Sequence, residues 1–80
     1  MVRYMLHHRH DAGQCGVAYA AFKGEASPLR HGTAVASCLA GGHEMWWVVE
    51  AGSPAEALAQ LPHFLATRST ATPITEVQIP

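Results

Sequence analysis

HEMWWVVEA, residues 43–51, followed at once by GSPAEAL, residues 52–58, reads as a strand that runs into a capped helix. Successive strand residues point to opposite sides of a sheet, so Met45, Trp47 and Val49 face one way and Trp46 and Val48 the other. Ser53 and Glu56 have the spacing of a capping box, and Pro54 falls at the first helical position, where its missing N–H costs nothing. Leu58, Leu61 and Leu65, with Ala57 and Phe64, continue at helical spacing. Pro62 interrupts that pattern. A mid-helix proline costs ~3 kcal/mol, so the helix is expected to kink or restart there.

Upstream, Gly41-Gly42 signals a hairpin turn, and TAVASCLA, residues 33–40, reads as a strand of small residues. VRYMLHH, residues 2–8, reads as a first strand. QCGVAYAAFK, residues 14–23, is Ala-rich, and its Cys15, Ala18, Tyr19 and Phe22 share one helical face. Asp11 or Gly13 is placed to cap that helix and Gly24 to close it. EASPLRHG, residues 25–32, is a connector, and PITEVQI, residues 73–79, reads as a last strand. The order β-α-β-β-α-β is that of an α+β, ferredoxin-like sandwich. This fold implies a four-stranded antiparallel sheet, order 4-1-3-2, with both helices on one face.

Two helices cover only one face of such a sheet. An indole and its neighbours would then stand in water on the other. Burying a large aromatic is worth ~1.5–3 kcal/mol, and exposed patches of this kind mark interfaces. The expectation is a homodimer packed through the sheet face. A single exposed Trp is the plainer alternative.

The chain of 80 residues is expected to form one domain, residues 1–80. A chain this short buries only ~60% of its unfolded surface and often needs a partner, a metal or crosslinks. The composition is 49% hydrophobic, which is globular, and the net charge of −1 leaves no electrostatic footprint for nucleic acid or for a membrane surface. No apolar run approaches the length of a membrane span and no signal-peptide stretch opens the chain, so a cytoplasmic location is expected. Cys15 and Cys38 are too few for a disulfide scaffold and read as free thiols or ligands. No phosphate-loop, nucleophile-elbow or dinucleotide pattern occurs, so no nucleotide cofactor is expected.

Six histidines against five Lys plus Arg is a biased ratio, and HHRHDAGQC, residues 7–15, holds three of them beside a cysteine. In the expected fold, strand one ends at His7–His10, the first helix starts there with Cys15, strand two ends near Cys38, and strand three begins at His43. His8, His10, Cys15, Cys38 and His43 thus gather at one rim, His31 falls at the opposite end, and His63 has no role. Imidazole and thiolate are the usual ligands of zinc, nickel and copper. The candidate metal ligands are His8, His10, Cys15 and His43, and a position at a helix N-terminus would favour Cys15 as thiolate. The competing reading is a polar strand end with Cys15 as a small buried residue. Asp11 and Glu44 could orient an imidazole for base work, but capping and solvation account for them as well. A redox couple of Cys15 with Cys38 depends on a distance that the sequence leaves open.

RYMLHHRH, the Gly-Gly hairpin, EMWWVVEA followed by SPAEAL, and the closing EVQIP together resemble the dimeric α+β barrel group of small ferredoxin-like proteins. Within it they are similar to nickel-binding ferredoxin-like, muconolactone-isomerase-like and YCII-like families. The resemblance implies a homodimer and a pocket between sheet and helices. It also keeps open a second function: a cofactor-free isomerase- or monooxygenase-like enzyme acting on a small hydrophobic or cyclic ligand. Tyr4 and Trp46 or Trp47 would line its pocket, and a histidine would serve as base. No catalytic residue carries over, because none of those families' site motifs is reproduced position by position.

Overall fold

A computed structural model describes all 80 residues. Two long strands, β1 (Val2–Arg9) and β3 (Glu44–Ala51), pair antiparallel at the centre of a four-stranded sheet. Leu6 lies opposite Trp47 and His8 opposite Met45. β2 (Val35–Ala36) pairs with β3, and β4 (Ser69–Ile74) pairs with β1, both antiparallel. The spatial order is β2-β3-β1-β4, which from the other edge is β4-β1-β3-β2.

Period-two alternation decides what is buried. Tyr4, Leu6 and His8 of β1 and Met45, Trp47, Val49 and Ala51 of β3 lie on one face, and all are buried. Against them pack Ala18 of α1 (Cys15–Ala20), Ala57 of α2 (Pro54–Leu58), Leu61, and Leu65 of α3 (His63–Ala66). The opposite face carries Met5, His7, Trp46 and Val48, and no helix covers it. Trp47 is therefore the core indole and Trp46 the outer one, stacked on His7 with ring centroids 5.4 Å apart.

The expected single second helix is two. Pro62 ends the first and caps the second, with its carbonyl accepting from the Ala66 N–H. Ser53 Oγ accepts the Glu56 N–H at 3.2 Å, and the Glu56 carboxylate accepts from Gly52 N–H at 3.0 Å. The first helix is shorter than the sequence suggests. Its α-helical part is Cys15–Ala20, flanked by 3₁₀ turns at Ala12–Gln14 and Ala21–Gly24.

Two strand readings need correction. The strand expected over residues 33–40 is only Val35–Ala36, and Cys38 lies beyond it in a 3₁₀ turn, Cys38–Ala40. Ser37 stops the ladder: its N–H donates to the Glu44 carbonyl, its carbonyl accepts from Ala40 and Gly42, and its hydroxyl accepts the Glu44 N–H. A Cβ at Gly42 would collide with the Ser37 side chain, so glycine is required there. The last strand is Ser69–Ile74, not residues 73–79. Ile74 already pairs with Arg3, so β1 has almost no length left to hold the rest. The alternation of Val77 and Ile79 consequently faces solvent.

Candidate metal centre

Three chain reversals deliver polar side chains to one end of the sheet. His10 follows β1, and its N–H donates to the His43 carbonyl at 3.1 Å, extending the β1–β3 ladder by one rung. His43 precedes β3 with φ 58°. That left-handed conformation is uncommon outside glycine, though histidine, asparagine and aspartate adopt it more readily than most residues, and it is a form of backbone strain that collects at functional sites. Cys15 opens α1, after a turn in which the Asp11 N–H donates to Gln14 Oε1 at 3.0 Å. Cys38 opens the 3₁₀ turn between β2 and β3.

These four residues converge. One ligand atom from each of His10, Cys15, Cys38 and His43 lies within 4.8 Å of all the others. Cys15 Sγ is 3.2 Å from His43 Nδ1, and Cys38 Sγ is 3.4 Å from His10 Nε2. In a tetrahedral zinc site, bond lengths of 2.3 Å to sulfur and 2.0–2.1 Å to nitrogen put neighbouring S and N ligands about 3.5 Å apart. The two pairs therefore already stand at nearly the separation that a shared ion would impose.

The sequence-derived ligand set was His8, His10, Cys15 and His43. The structure brings His10, Cys15 and His43 together, while Cys38 stands where His8 was expected. His8 and His10 share one side of β1, a spacing at which two imidazoles can meet one ion, but the group of converging ligand atoms leaves His8 out. His8 is instead wholly buried behind His10, its Nε2 3.0 Å from His10 Nδ1. A histidine that ligates through one nitrogen usually hydrogen-bonds through the other, which fixes tautomer and ring orientation. His8 fills that place. With His10 Nδ1–H donating to His8 Nε2, the remaining His8 proton sits on Nδ1, which is buried without a well-formed hydrogen bond. The backbone of Arg68 and Leu65 favours the protonated ring, but less than other influences oppose it.

Burial sets the protonation of the group. It pushes the His8 imidazole below its ordinary value, as does the neighbouring His10. Burial lowers His10 as well, with His43 adding to it and Asp11 opposing. Cys15 differs from the thiolate expectation: burial, then the adjacent Cys38, push its thiol up. The helix behind it is six residues long and does not overcome desolvation. Tyr19 is also raised, chiefly by Cys38 beside its hydroxyl. Neutral imidazoles are the form that binds a metal, whereas each thiol must release a proton to do so.

Glu44 does not orient any imidazole of this group. Its carboxylate faces the other side of the sheet, 2.7 Å from His7 Nε2 and 3.2 Å from Arg9. His31 and the exposed His63 lie outside the group. Tyr4 is packed into the core, and a cleft on the helix side of the sheet is lined by Trp47 but by neither His8 nor His43. No helix is long and apolar enough to cross a membrane. No protein-family model, no curated protein and no solved structure matches the chain.

Proposed function

We propose that the protein is a small transition-metal-binding protein whose ion is held by His10 Nε2, Cys15 Sγ, Cys38 Sγ and His43 Nδ1. The observation that carries this reading is the mutual approach of four ligand atoms from three separate chain segments within 4.8 Å. A donor set of two thiolates and two imidazoles in tetrahedral array favours zinc over nickel or copper(II). Four protein donors complete the shell, which is the arrangement of structural sites rather than of catalytic sites that keep a position open. The ion would tie the end of β1, the start of α1 and the β2–β3 turn together, in a chain whose core is thin for its length.

The expected homodimer belongs to the same reading. Met5, Val35, Trp46 and Val48 form an apolar hollow on the helix-free face, with Val48 49% exposed. A second copy packed sheet to sheet would cover it, as in the dimeric α+β barrels that the sequence resembles. The metal reading ranks above an enzyme acting on a hydrophobic metabolite because the cleft does not reach His8 or His43.

Elemental analysis of untagged protein, followed by cobalt(II) substitution, tests the centre. The expected result is one ion per chain, with the intense visible bands of tetrahedral cobalt and thiolate-to-metal charge transfer. Absence of metal after purification, together with no spectral change on adding cobalt or zinc to reduced protein, overturns it. Sedimentation of wild type and Val48→Glu tests the dimer separately: the wild type should sediment as two chains and the variant as one.

A further inference from the structure

The short α1 leaves the β2 end of the sheet incompletely covered on the helix side. A cleft of about 360 Å³ opens there. That volume lies within the usual range for small-molecule sites, roughly 300–1,000 Å³. Its apolar wall comes from Met45, Trp47, Phe22 and Leu29, with the Phe22 and Trp47 rings tilted at 53° to each other. Lys23, Arg30 and His31 also line it, and no acidic residue does. The ion pairs of the protein lie elsewhere, at Arg3–Glu76, His7–Glu44 and Arg9–Glu44.

The segment that carries Arg30 and His31 is pinned. The Arg30 N–H donates to the Ser27 carbonyl at 3.1 Å and the Gly32 N–H to the Leu29 carbonyl at 3.2 Å. Ser27 Oγ donates to the Gln60 carbonyl and accepts from the Leu29 N–H. Glu25 accepts the His63 N–H at 2.6 Å, tying the segment's start to α3. His31 turns the chain at φ 67°. The backbone under Arg30 and His31 is thus in place before a ligand arrives, while the exposed Arg30 and Lys23 side chains stay free to reach it.

We propose that this cleft binds a small amphipathic carboxylate, its apolar body against Trp47 and Phe22 and its carboxylate at Arg30 and Lys23. The apolar wall supplies burial, and the unpaired cations select an anion over a neutral molecule of equal size. The cleft adjoins the metal centre through Tyr19, whose hydroxyl meets Cys38, but the inference uses none of the four proposed ligands.

The test uses octanoate and its neutral counterpart octanamide as probes. Trp46→Phe removes the indole on the other face, so that emission reports Trp47 alone. Octanoate is expected to change that emission at a Kd several-fold below that of octanamide at low salt, the scale of solvent-exposed ion pairs. Lys23→Met with Arg30→Met should abolish the preference and leave the far-ultraviolet circular dichroism unchanged, since both side chains are exposed. Arg9→Met, on the other face, should leave it intact. Equal binding of the two probes, binding of neither, or a preference that survives the double substitution overturns the proposal.

Discussion

β1 presents histidines alternately to two different worlds. His8 is buried on the helix side, and His10 continues that side beyond the strand end; His8 meets the His10 imidazole, His10 also meets the Cys38 thiol, and no carboxylate hydrogen-bonds to either. His7 lies one residue away on the open side, stacked on Trp46 and bonded to Glu44. The same residue type thus serves two ends. Desolvated among neutral donors, imidazole stays uncharged and its lone pair is free for an ion. Beside a solvated carboxylate it becomes part of an ordinary surface polar pair. Ligand potential here is decided by strand parity and burial, not by the HHRH run as such.

The largest effect should come from the inner side. Cys38→Ser is expected to reduce zinc affinity beyond the roughly 10–100-fold that loss of an outer hydrogen-bond partner costs. His8→Leu should fall inside that interval, because among the proposed ligands His8 touches only His10. Chelator competition on both variants, with folding checked by circular dichroism, ranks them. A larger loss in His8→Leu than in Cys38→Ser would mean that the two residues have been given each other's parts.

Next in size is the stability that metal confers. Zinc at about 100 times its Kd should add ~2.7 kcal/mol. For a domain of this length that is about 10–20 °C in Tm, removable by a chelator. An unchanged melting curve would show that the ion does not tie the three segments together.

A third, smaller effect concerns protons in the chelator-treated protein. His8 and His10 sit below their ordinary value of 6.5 when folded. The unfolded chain therefore takes up protons at a pH where the folded chain does not, and stability rises with pH across that interval. Tm should be flat just above neutrality, before the raised Cys15 thiol comes into play, and fall as the pH drops below 6.5 through the lower folded values. His8→Leu should flatten part of the fall. An identical slope in the variant would show that His8 contributes nothing to it.

The sheet and the rim were legible in the sequence because both follow from strand composition and element order. HEMWWVVEA and VRYMLHH are rich in strand-forming residues with apolar side chains on both parities, and the expected β-α-β-β-α-β order sends His10, Cys15, Cys38 and His43 to one end. What was not legible depended on endings. PITEVQI alternates like a strand, but pairing needs a partner, and β1 is used up by Ile74. TAVASCLA reads as extended, yet the Ser37 hydroxyl and backbone close the hairpin early and release Cys38 into a turn. That release is what lets its sulfur face His10. The choice between His8 and His10 was not legible either, because two histidines at that spacing share a side of the strand and either or both could serve. The register that puts His8 opposite Met45, and its burial with Nε2 turned to His10 Nδ1, make the choice.

The smallest effect should come from the open side, and it is the sharpest check on the contrast between the faces. Glu44 directly follows His43 in the chain, so a change at Glu44 is one peptide unit from a proposed ligand. Its carboxyl is held below its ordinary 4.5, first by the His7 hydrogen bond and then by Arg9. The stabilisation it brings is present above that value and disappears as pH falls through the lower folded one. These groups are solvated, so the contribution should be small and should vanish in high salt. Glu44→Gln should therefore lower Tm slightly at neutral pH and low salt, match wild type at high salt, and leave zinc affinity where it was. A zinc affinity that moved with Glu44→Gln would mean that the pleat does not insulate the two sides, and that the His43 backbone at φ 58° transmits the outer pair to the inner donors.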